Sequence, residues 1–325
     1  MSDTNGTTLS FTVEQEDRET RLDHYLVERC DDFTRSRLQK AVADGAVRVN
    51  GIVRPSRYRL SPGQVVEFTP PPLPPTNITA EDLPLDVIHQ DESILVLNKA
   101  AGMVCHPAPG HYTGTLVNAL RHRFDDLPGG DEIRAGLVHR LDKDTSGLMV
   151  VALTETAHVH LSEQLHERTL GRTYECLSWG QWDKDEGTLT GDLGRHPTQR
   201  LRMAVVPGGR RAATRYVVVE DFGFCQLCRV SLDTGRTHQI RVHFASRSHP
   251  VVGDRLYGDD ARVKQVHPLD RIMAQAMVNG ATRQMLHAAQ LDLVHPVSGE
   301  AMTFSAPRPD DIATVIVGLH QARER

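Results

Sequence analysis

A polar segment between two apolar runs holds the residues best suited to chemistry. It reads GLVHRLDKDTSGLMVV over residues 136–151, and HRLDKDTSG interrupts runs that predict buried strands. Loops held between rigid strands are common sites of catalysis. Asp142 is a candidate nucleophile or general base, and the flanking cations Arg140 and Lys143 favour its ionised carboxylate. A structural ion-pair loop has the same composition, so the segment alone leaves both interpretations open.

A second segment, LDTGRTHQIRVHFA over residues 232–245, carries a cation for such a carboxylate. We expect Thr237 to cap a short helix on which His238 and Arg241 share a face. Arg241 then projects towards a carboxylate from another strand, where its planar fork offers two hydrogen bonds. A structural salt bridge remains the alternative.

Two further segments each contribute one candidate residue. Tyr174 in RTYECLSW lies on a predicted strand, where a lone tyrosine is usually a core residue. RQMLHAAQLDLVHP, residues 283–296, contains a Leu286-His287 step among polar groups.

The elements that must position these residues alternate along the chain between short strands and helices. The last helix is the clearest, with Asp310 as its expected cap and an apolar face at helical spacing. The pattern predicts an α+β fold whose sheet is mixed and largely antiparallel. The predicted strands cover residues 94–97, 148–152, 174–179, 216–219 and 226–232, and the two helices carry Ala157, Leu161 and Leu165, and then Ile312, Val315, Ile316 and Leu319.

A proline-rich stretch, TPPPLPPT, divides the chain, because five prolines in six positions favour an extended spacer. Before it, two short helical patterns precede a hairpin with an Asn50-Gly51 turn. We predict a flexible tail over residues 1–12, a small domain over 13–69, a linker over 70–76 and a large domain over 77–325.

The net charge of −5 conceals a basic segment in the small domain. Residues 35–60 hold seven basic residues and one acid, a pattern typical either of a nucleic-acid-binding surface or of a solvated charged face. The basic residues are Arg35, Arg37, Lys40, Arg48, Arg54, Arg57 and Arg59.

Composition and spacing argue against several other classes of protein. The Cys225/Cys228 pair lies on a predicted strand, where residues three apart point to opposite faces, so we interpret these cysteines as structural rather than as zinc ligands. Asp144-Thr145-Ser146-Gly147 is similar to an aspartic protease loop, but that chemistry needs a second copy. The 17 histidines suggest a metal hydrolase, yet their spacings separate them and no HExxH is present. No apolar run approaches the roughly 18 residues of a membrane helix, and the polar start is not a secretory signal, so we expect a cytoplasmic monomer without membrane contact.

Taken together, HRLDKDTSGLMV, RTYECL, GRTHQIRVHFA and LHAAQLDLVHP resemble the successive motifs of the RluA family of pseudouridine synthases. ESILVLNKAAGMVCHP and GTLVNAL match its first segment, except that Lys99-Ala100 stands where the family usually has Lys-Pro, a difference we expect to touch only a turn. RLDHYL, SRLQKAVADGAVRVNG and SPGQVVEF resemble the S4 RNA-binding fold. This module and RHPTQRLRMAV are most similar to the D-type branch, which acts on large-subunit rRNA.

The resemblance implies an isomerase that converts uridine in RNA to its C-glycoside without metal or organic cofactor. By position, Asp142 is the catalytic aspartate, Tyr174 stacks on the target base and is placed for proton transfer, and Arg241 pairs with the aspartate. The chemistry agrees, because a carboxylate can attack covalently and then leave.

The resemblance also assigns residues to base flipping and to the pocket. Arg140 matches the residue that fills the RNA stack when the target leaves it, His139 stands beside it, and Leu286 lines the apolar pocket. A buried target base must be flipped out, and a guanidinium plane can replace its stacking. Two alternatives remain: a non-catalytic RNA-binding protein that uses the S4-like module, and a synthase acting on another RNA such as tRNA.

Overall fold

Two units make up the chain, and the division falls between Thr76 and Asn77. The computed structural model describes residues 8–30, 35–70, 78–108, 111–128, 135–199 and 201–323. Except for Pro70, the linker predicted over residues 70–76 lies outside these ranges.

The smaller unit packs two helices on an antiparallel four-stranded sheet of order β1-β4-β2-β3. At the hairpin turn Asn50 and Gly51 both have positive φ, as the twist of a two-residue turn requires. Strand β1 pairs with β4, so the predicted tail is wrong for residues 9–12. The elements are β1 (Leu9–Thr12), α1 (Leu22–Arg29), α2 (Arg35–Ala43), β2 (Val47–Val49), β3 (Ile52–Val53) and β4 (Val65–Phe68).

The larger unit is built on a ten-stranded mixed sheet of order β10-β9-β11-β12-β8-β13-β7-β6-β5, with β14 paired to β13. Only the β7–β13 pairing is parallel within the described residues. The predicted α+β class with a mixed sheet is therefore confirmed. The strands are β5 (Asp86–Gln90), β6 (Ile94–Lys99), β7 (Ser146–Ala152), β8 (Gly171–Trp179), β9 (Glu186–Arg195), β10 (Met203–Val205), β11 (Arg210–Asp221), β12 (Cys225–Leu232), β13 (Leu286–Val294) and β14 (Ala301–Ser305).

Helices cover both faces of this sheet, so its central strands are buried on each side. On one face α4 packs Ala157 and Leu161 against the strands, and on the other face lie α3 and α5. The last helix buries its predicted apolar face but begins at Asp310, which is therefore its first residue rather than its cap. The helices are α3 (Leu116–Arg123), α4 (Glu155–Glu167), α5 (Gln239–Ser246), α6 (Arg271–Gly280) and α7 (Asp310–Arg323).

The parallel pair β7 and β13 meets at one glycine. Gly147 lies opposite Ala288 with φ of +118°, and a Cβ there would lie 2.3 Å from the Ala288 carbonyl oxygen. Only glycine allows this approach, because both the backbone angle and the space exclude a side chain.

We therefore expect Gly147→Ala to lower the free energy of unfolding of the larger unit by about 3 kcal/mol or more, through backbone strain and lost pairing. The control is Gly318→Ala, on the exposed face of α7 with open space around it, which should stabilise by up to about 1 kcal/mol. Urea unfolding followed by the fluorescence of Trp179 and Trp182, the two tryptophans of the chain, measures both. Equal stability of the two variants would contradict the prediction.

Candidate active site

One cleft of about 540 Å³ in the larger unit brings together the candidate residues that lie far apart in sequence. They come from the loop before β7, from β8, from α5 and from the first residue of β13. All six residues assigned to catalysis, base flipping and the pocket line this cleft: His139, Arg140, Asp142, Tyr174, Arg241 and Leu286.

An ion pair joins two of them. Arg241 Nη1 donates to Asp142 Oδ2 at 2.9 Å, with the Arg241 side chain 8% exposed and that of Asp142 18% exposed. The other carboxylate oxygen of Asp142, Oδ1, lies 4.0 Å from His238 Nε2, a distance that is too long for a hydrogen bond. One carboxylate oxygen is therefore held while the other can approach a substrate.

The two-bond grip expected between Arg241 and Asp142 is made with a different acid. Asp254 accepts from Arg241 Nε at 2.7 Å and from Nη2 at 2.9 Å, and its side chain is fully buried. Asp254 Oδ1 also accepts the backbone N–H groups of Leu256 and Tyr257. Burial alone would lower the pKa of Arg241, but the hydrogen bonds and charges of Asp254 and then of Asp142 raise it above its usual value.

Asp254 was not identified from the sequence. It lies in a loop, GDRLYG, that has no periodicity and no other acidic residue within it. Its only signal is its position directly after the buried Val251-Val252-Gly253 run.

The start of α5 differs from the expectation that Thr237 caps it. The helix begins at Gln239, and His238 occupies the N-cap position with φ of +57° and no capping side-chain bond. The Gln239 side-chain oxygen instead accepts the Arg236 backbone N–H and the Thr234 hydroxyl, which turns the preceding loop back on the helix.

This turn places His238 beside Asp142. His238 Nδ1 lies 2.7 Å from the Tyr257 hydroxyl, which also accepts the Met203 backbone N–H. The arrangement is satisfied when Tyr257 donates to Nδ1, which leaves the proton of the neutral imidazole on Nε2, facing the carboxylate. Burial lowers the pKa of His238, against the opposing effect of Asp142, so the ring is neutral at pH 7.

Hydrogen bonds to its backbone carbonyls hold the loop that carries Asp142. Every carbonyl from Leu141 to Asp144 accepts at least one hydrogen bond, so the loop has little freedom to move the carboxylate. The donors, in chain order of the carbonyls, are Cys105 Sγ at 3.3 Å, Thr145 N at 3.1 Å, Lys99 Nζ at 3.1 Å with Gly102 N at 2.9 Å, and Arg283 Nη1 at 3.0 Å.

Lys99 contributes more than the sequence suggested. Its ammonium is buried and donates to the carbonyls of Ala100, Met103 and Lys143. Burial lowers its pKa to about 8. Lys99 therefore ties the turn after β6 to the loop of Asp142, whereas the residue that departs from Lys-Pro, Ala100, is exposed directly before that turn.

Tyr174 and Leu286 form the apolar wall of the cleft. Tyr174 lies between Val230 of β12 and Ala288 of β13, and Leu286 pairs with Cys176 on β8. Burial raises the pKa of Tyr174, so its phenol is protonated at neutral pH. Its hydroxyl makes no hydrogen bond with any described residue.

His139 and Arg140 occupy different environments although they are adjacent. His139 Nε2 accepts the Val150 backbone N–H at 3.1 Å, and burial lowers its pKa to about 3, so it is a neutral acceptor that fixes the loop. Arg140 is exposed. Of the two, Arg140 has the freedom to enter a nucleic-acid stack.

Neither cysteine chemistry nor a metal centre is evident in the described ranges. Cys225 and Cys228 are buried, unbridged and in different core clusters, as expected for opposite faces of β12. No group of three or more metal-ligating side chains is found among the described residues. None of the helices in that part of the chain is long and apolar enough to cross a membrane.

Comparison with known proteins identifies relatives along nearly the whole chain. The family model of RNA pseudouridylate synthases matches residues 93–246. The ribosomal large subunit pseudouridine synthase D of Vibrio parahaemolyticus is 40% identical over 317 residues, which cover 97% of this chain and 96% of that protein. The synthase D of Escherichia coli is 41% identical over 95% of this chain and 93% of its own. An uncharacterized RNA pseudouridine synthase of Synechocystis is 42% identical over 93% and 89%.

Solved structures show the same fold. Human RNA pseudouridylate synthase domain containing 1 superposes with a TM-score of 0.54 and 25% identity, covering 74% of this chain and 89% of the human one. The resemblance drawn from the sequence motifs is confirmed. This chain belongs to the RluA family of RNA pseudouridine synthases and is an isomerase that converts uridine in RNA to pseudouridine.

Proposed function

We propose that this enzyme isomerises specific uridines of large-subunit ribosomal RNA in the cytoplasm, with Asp142 as its nucleophile. The observation that carries the assignment of Asp142 is its ion pair with Arg241 in a cleft walled by Tyr174 and Leu286. The RNA class is supported by the printed names of relatives that match over almost their full length.

The reaction breaks the N1–C1′ glycosidic bond, turns the base and joins C5 to C1′. The free Oδ1 of Asp142 attacks C1′ of the ribose while the uracil leaves with the bonding electrons. The carboxylate then leaves C1′ when C5 of the turned base attacks it. The C5 proton is then removed, and N1 of the product carries a proton. Arg241 holds Oδ2 throughout, so the carboxylate keeps one orientation in both steps.

The remaining residues keep the detached base in place. The Tyr174 ring stacks on the base, and Leu286 excludes water. The protonated Tyr174 hydroxyl relays the C5 proton, accepting it while its own proton passes on to N1. The exposed Arg140 enters the RNA stack that the target nucleotide has left.

We also propose that the smaller unit is an S4-like RNA-binding domain. Arg48, Arg57 and Arg59 are exposed, Arg54 is half-buried over the Tyr58 ring, and among the described residues none of the four pairs with an acid. Their charges can therefore hold phosphates without reading sequence. The side chains of Arg35, Arg37 and Lys40 lie outside the described residues.

The proposal is tested with Asp142→Asn. The amide nearly keeps the shape of the carboxylate but cannot act as the nucleophile, so turnover should be abolished with folding and RNA binding retained. Pseudouridine mapping of rRNA from cells that carry the wild type, the variant or neither identifies the sites. Sites that persist with the variant would contradict the role of Asp142, and an unchanged rRNA map in cells lacking the protein would contradict the substrate.

Arg241→Lys should lower turnover by about ten-fold or more, about 1.4 kcal/mol per decade, with little change in RNA affinity. A lysine cannot hold both oxygens of Asp254 and still donate to Asp142. Single-turnover kinetics measures the change, and Arg247→Lys, exposed at the end of the same helix, is the control. Rates within about two-fold of each other for these two variants would exclude the bridging role.

Tyr174→Phe separates stacking from proton transfer. The ring remains, and the hydroxyl has no hydrogen bond to a described residue, so the variant should fold and bind RNA normally. Loss of the acid–base group should slow turnover by about 10² to 10⁴. Tritium release from C5 and RNA binding are followed in parallel. Normal tritium release would leave Tyr174 as a stacking surface only, and equal losses of both would indicate a structural tyrosine.

Replacing Arg48, Arg54, Arg57 and Arg59 with glutamine should weaken RNA binding. The slope of the logarithm of the binding constant against the logarithm of the salt concentration should become shallower by about 0.7 to 0.9 for each phosphate contact that is lost. Turnover at saturating RNA should not change. The control replaces Arg168 and Arg229, exposed in the larger unit, and is compared with the double variant of Arg57 and Arg59, which removes the same number of charges. An unchanged salt slope in the quadruple variant would rule out an RNA-binding role for these arginines.

A further inference from the structure

Arg172 is a cation in the active-site cleft that the proposed mechanism does not use. It lies on β8 two residues before Tyr174, so both side chains project from the same face of the strand. Both line the cleft together with Asp142. Two residues along a strand span about 6.6 Å, so the two side chains leave the strand side by side rather than from the same point.

The guanidinium of Arg172 is only partly satisfied by the protein. Its Nε is buried and has no hydrogen-bond partner, and among the described residues Arg172 makes no ion pair with an acid. Leaving a buried donor unpaired costs about 1–3 kcal/mol, so such an atom calls for an explanation. Because Arg172 also lines the cleft, a ligand that enters there would offer its guanidinium an acceptor.

A glycine of the second motif makes room for this side chain. A Cβ on Gly235 would lie 2.9 Å from Arg172 Nη1, and φ at this position is not in the left-handed region. A side chain here would therefore displace the flexible end of Arg172, whereas glycine leaves the guanidinium in its place against the loop before α5.

The charge around Arg172 is uncompensated. Asp142 is the only acid among the described residues that line the cleft, and Arg241 already holds one of its oxygens. Two groups whose pKa the charge of Arg172 lowers, His139 and Tyr174, are both neutral at pH 7. Arg140 and Arg236 add further positive charge to the lining. The cleft is therefore suited to an anion.

We propose that Arg172 binds the backbone phosphate adjacent to the target uridine while the base is stacked on Tyr174. The inference rests on the proposed catalytic cleft but not on which RNA is modified. A guanidinium fork matches two phosphate oxygens and neutralises its charge, whereas a uracil carbonyl is a neutral single acceptor. Arg172 would thereby fix the sugar of the target nucleotide relative to Asp142.

The test is a double-mutant cycle between Arg172 and the phosphate. Short RNAs contain one uridine that the wild type isomerises, with a neutral methylphosphonate on its 5′ or its 3′ side. Arg172→Gln should weaken binding of unmodified RNA by about ten-fold, as should one of the two methylphosphonates with the wild type. Combined, they should cost no more than either alone. Losses that multiply at both positions would overturn the proposal.

Three further variants sharpen the result. Arg172→Lys should lose part of the affinity, because it keeps the charge without the fork. Gly235→Ala should reduce the coupling as well, because it displaces the guanidinium without removing charge. Arg229→Gln, exposed on the neighbouring strand β12 and outside the cleft, should keep the full methylphosphonate effect.

Two outcomes assign Arg172 elsewhere. Coupling to sulfur substitution at a uracil carbonyl, without coupling to either methylphosphonate, would make it a base-binding residue. Loss of thermal stability in Arg172→Gln and in Arg172→Lys, with unchanged affinity for RNA, would make it structural. Failure of the wild type to modify rRNA would contradict the proposed substrate alone, because the cycle uses whichever RNA the enzyme isomerises.

Discussion

The active site depends on one arginine that bridges two carboxylates. Arg241 uses Nε and Nη2 for the buried Asp254 and Nη1 for Asp142. A cation with one acid would be neutralised, but with two it is held by one and presented to the other. Removing Asp254 would leave a charge in a mostly buried place without its anchor, which is far more costly than losing an exposed pair. The position of the Asp142 carboxylate therefore depends on Asp254, which does not contact it.

The rest of the larger unit supports this bridge by holding the loop that carries Asp142 through its backbone carbonyls. Four successive carbonyls of the Asp142 loop accept from five residues of the larger unit, including the buried ammonium of Lys99. The loop then enters β7, whose parallel contact with β13 depends on Gly147. Strand β13 begins with Leu286, so the same contact sets the distance between the carboxylate loop and the apolar wall.

Charge is distributed unevenly in a chain whose net charge is −5. The smaller unit presents four arginines that pair with no acid among the described residues, and the described lining of the cleft holds more cations than acids. A protein with this arrangement can bind a polyanionic substrate although its net charge is negative, because only the surfaces that contact phosphate must be positive. Within the cleft, Arg241 binds two carboxylates, while Arg172 pairs with no acid in the part of the chain that the structure describes.

The sequence by itself determined the class of fold, the family and the six cleft residues assigned to catalysis, base flipping and the pocket. Periodicity was sufficient for the central strands and for the buried face of α7, because burial on both faces of a sheet or along one helix face leaves a local pattern. The motifs around Asp142, Tyr174 and Arg241 were sufficient for the family. Only the tertiary structure revealed the roles of Asp254, Lys99 and His238. Asp254 pairs with Arg241 from a loop that has no periodicity. Lys99 donates to backbone carbonyls, which every residue possesses. His238 is oriented by its left-handed backbone conformation rather than by its position on a helix. Contacts of these kinds produce no periodic pattern in the sequence, because they depend on which backbone segments the fold brings together and not on the alternation of apolar and polar residues.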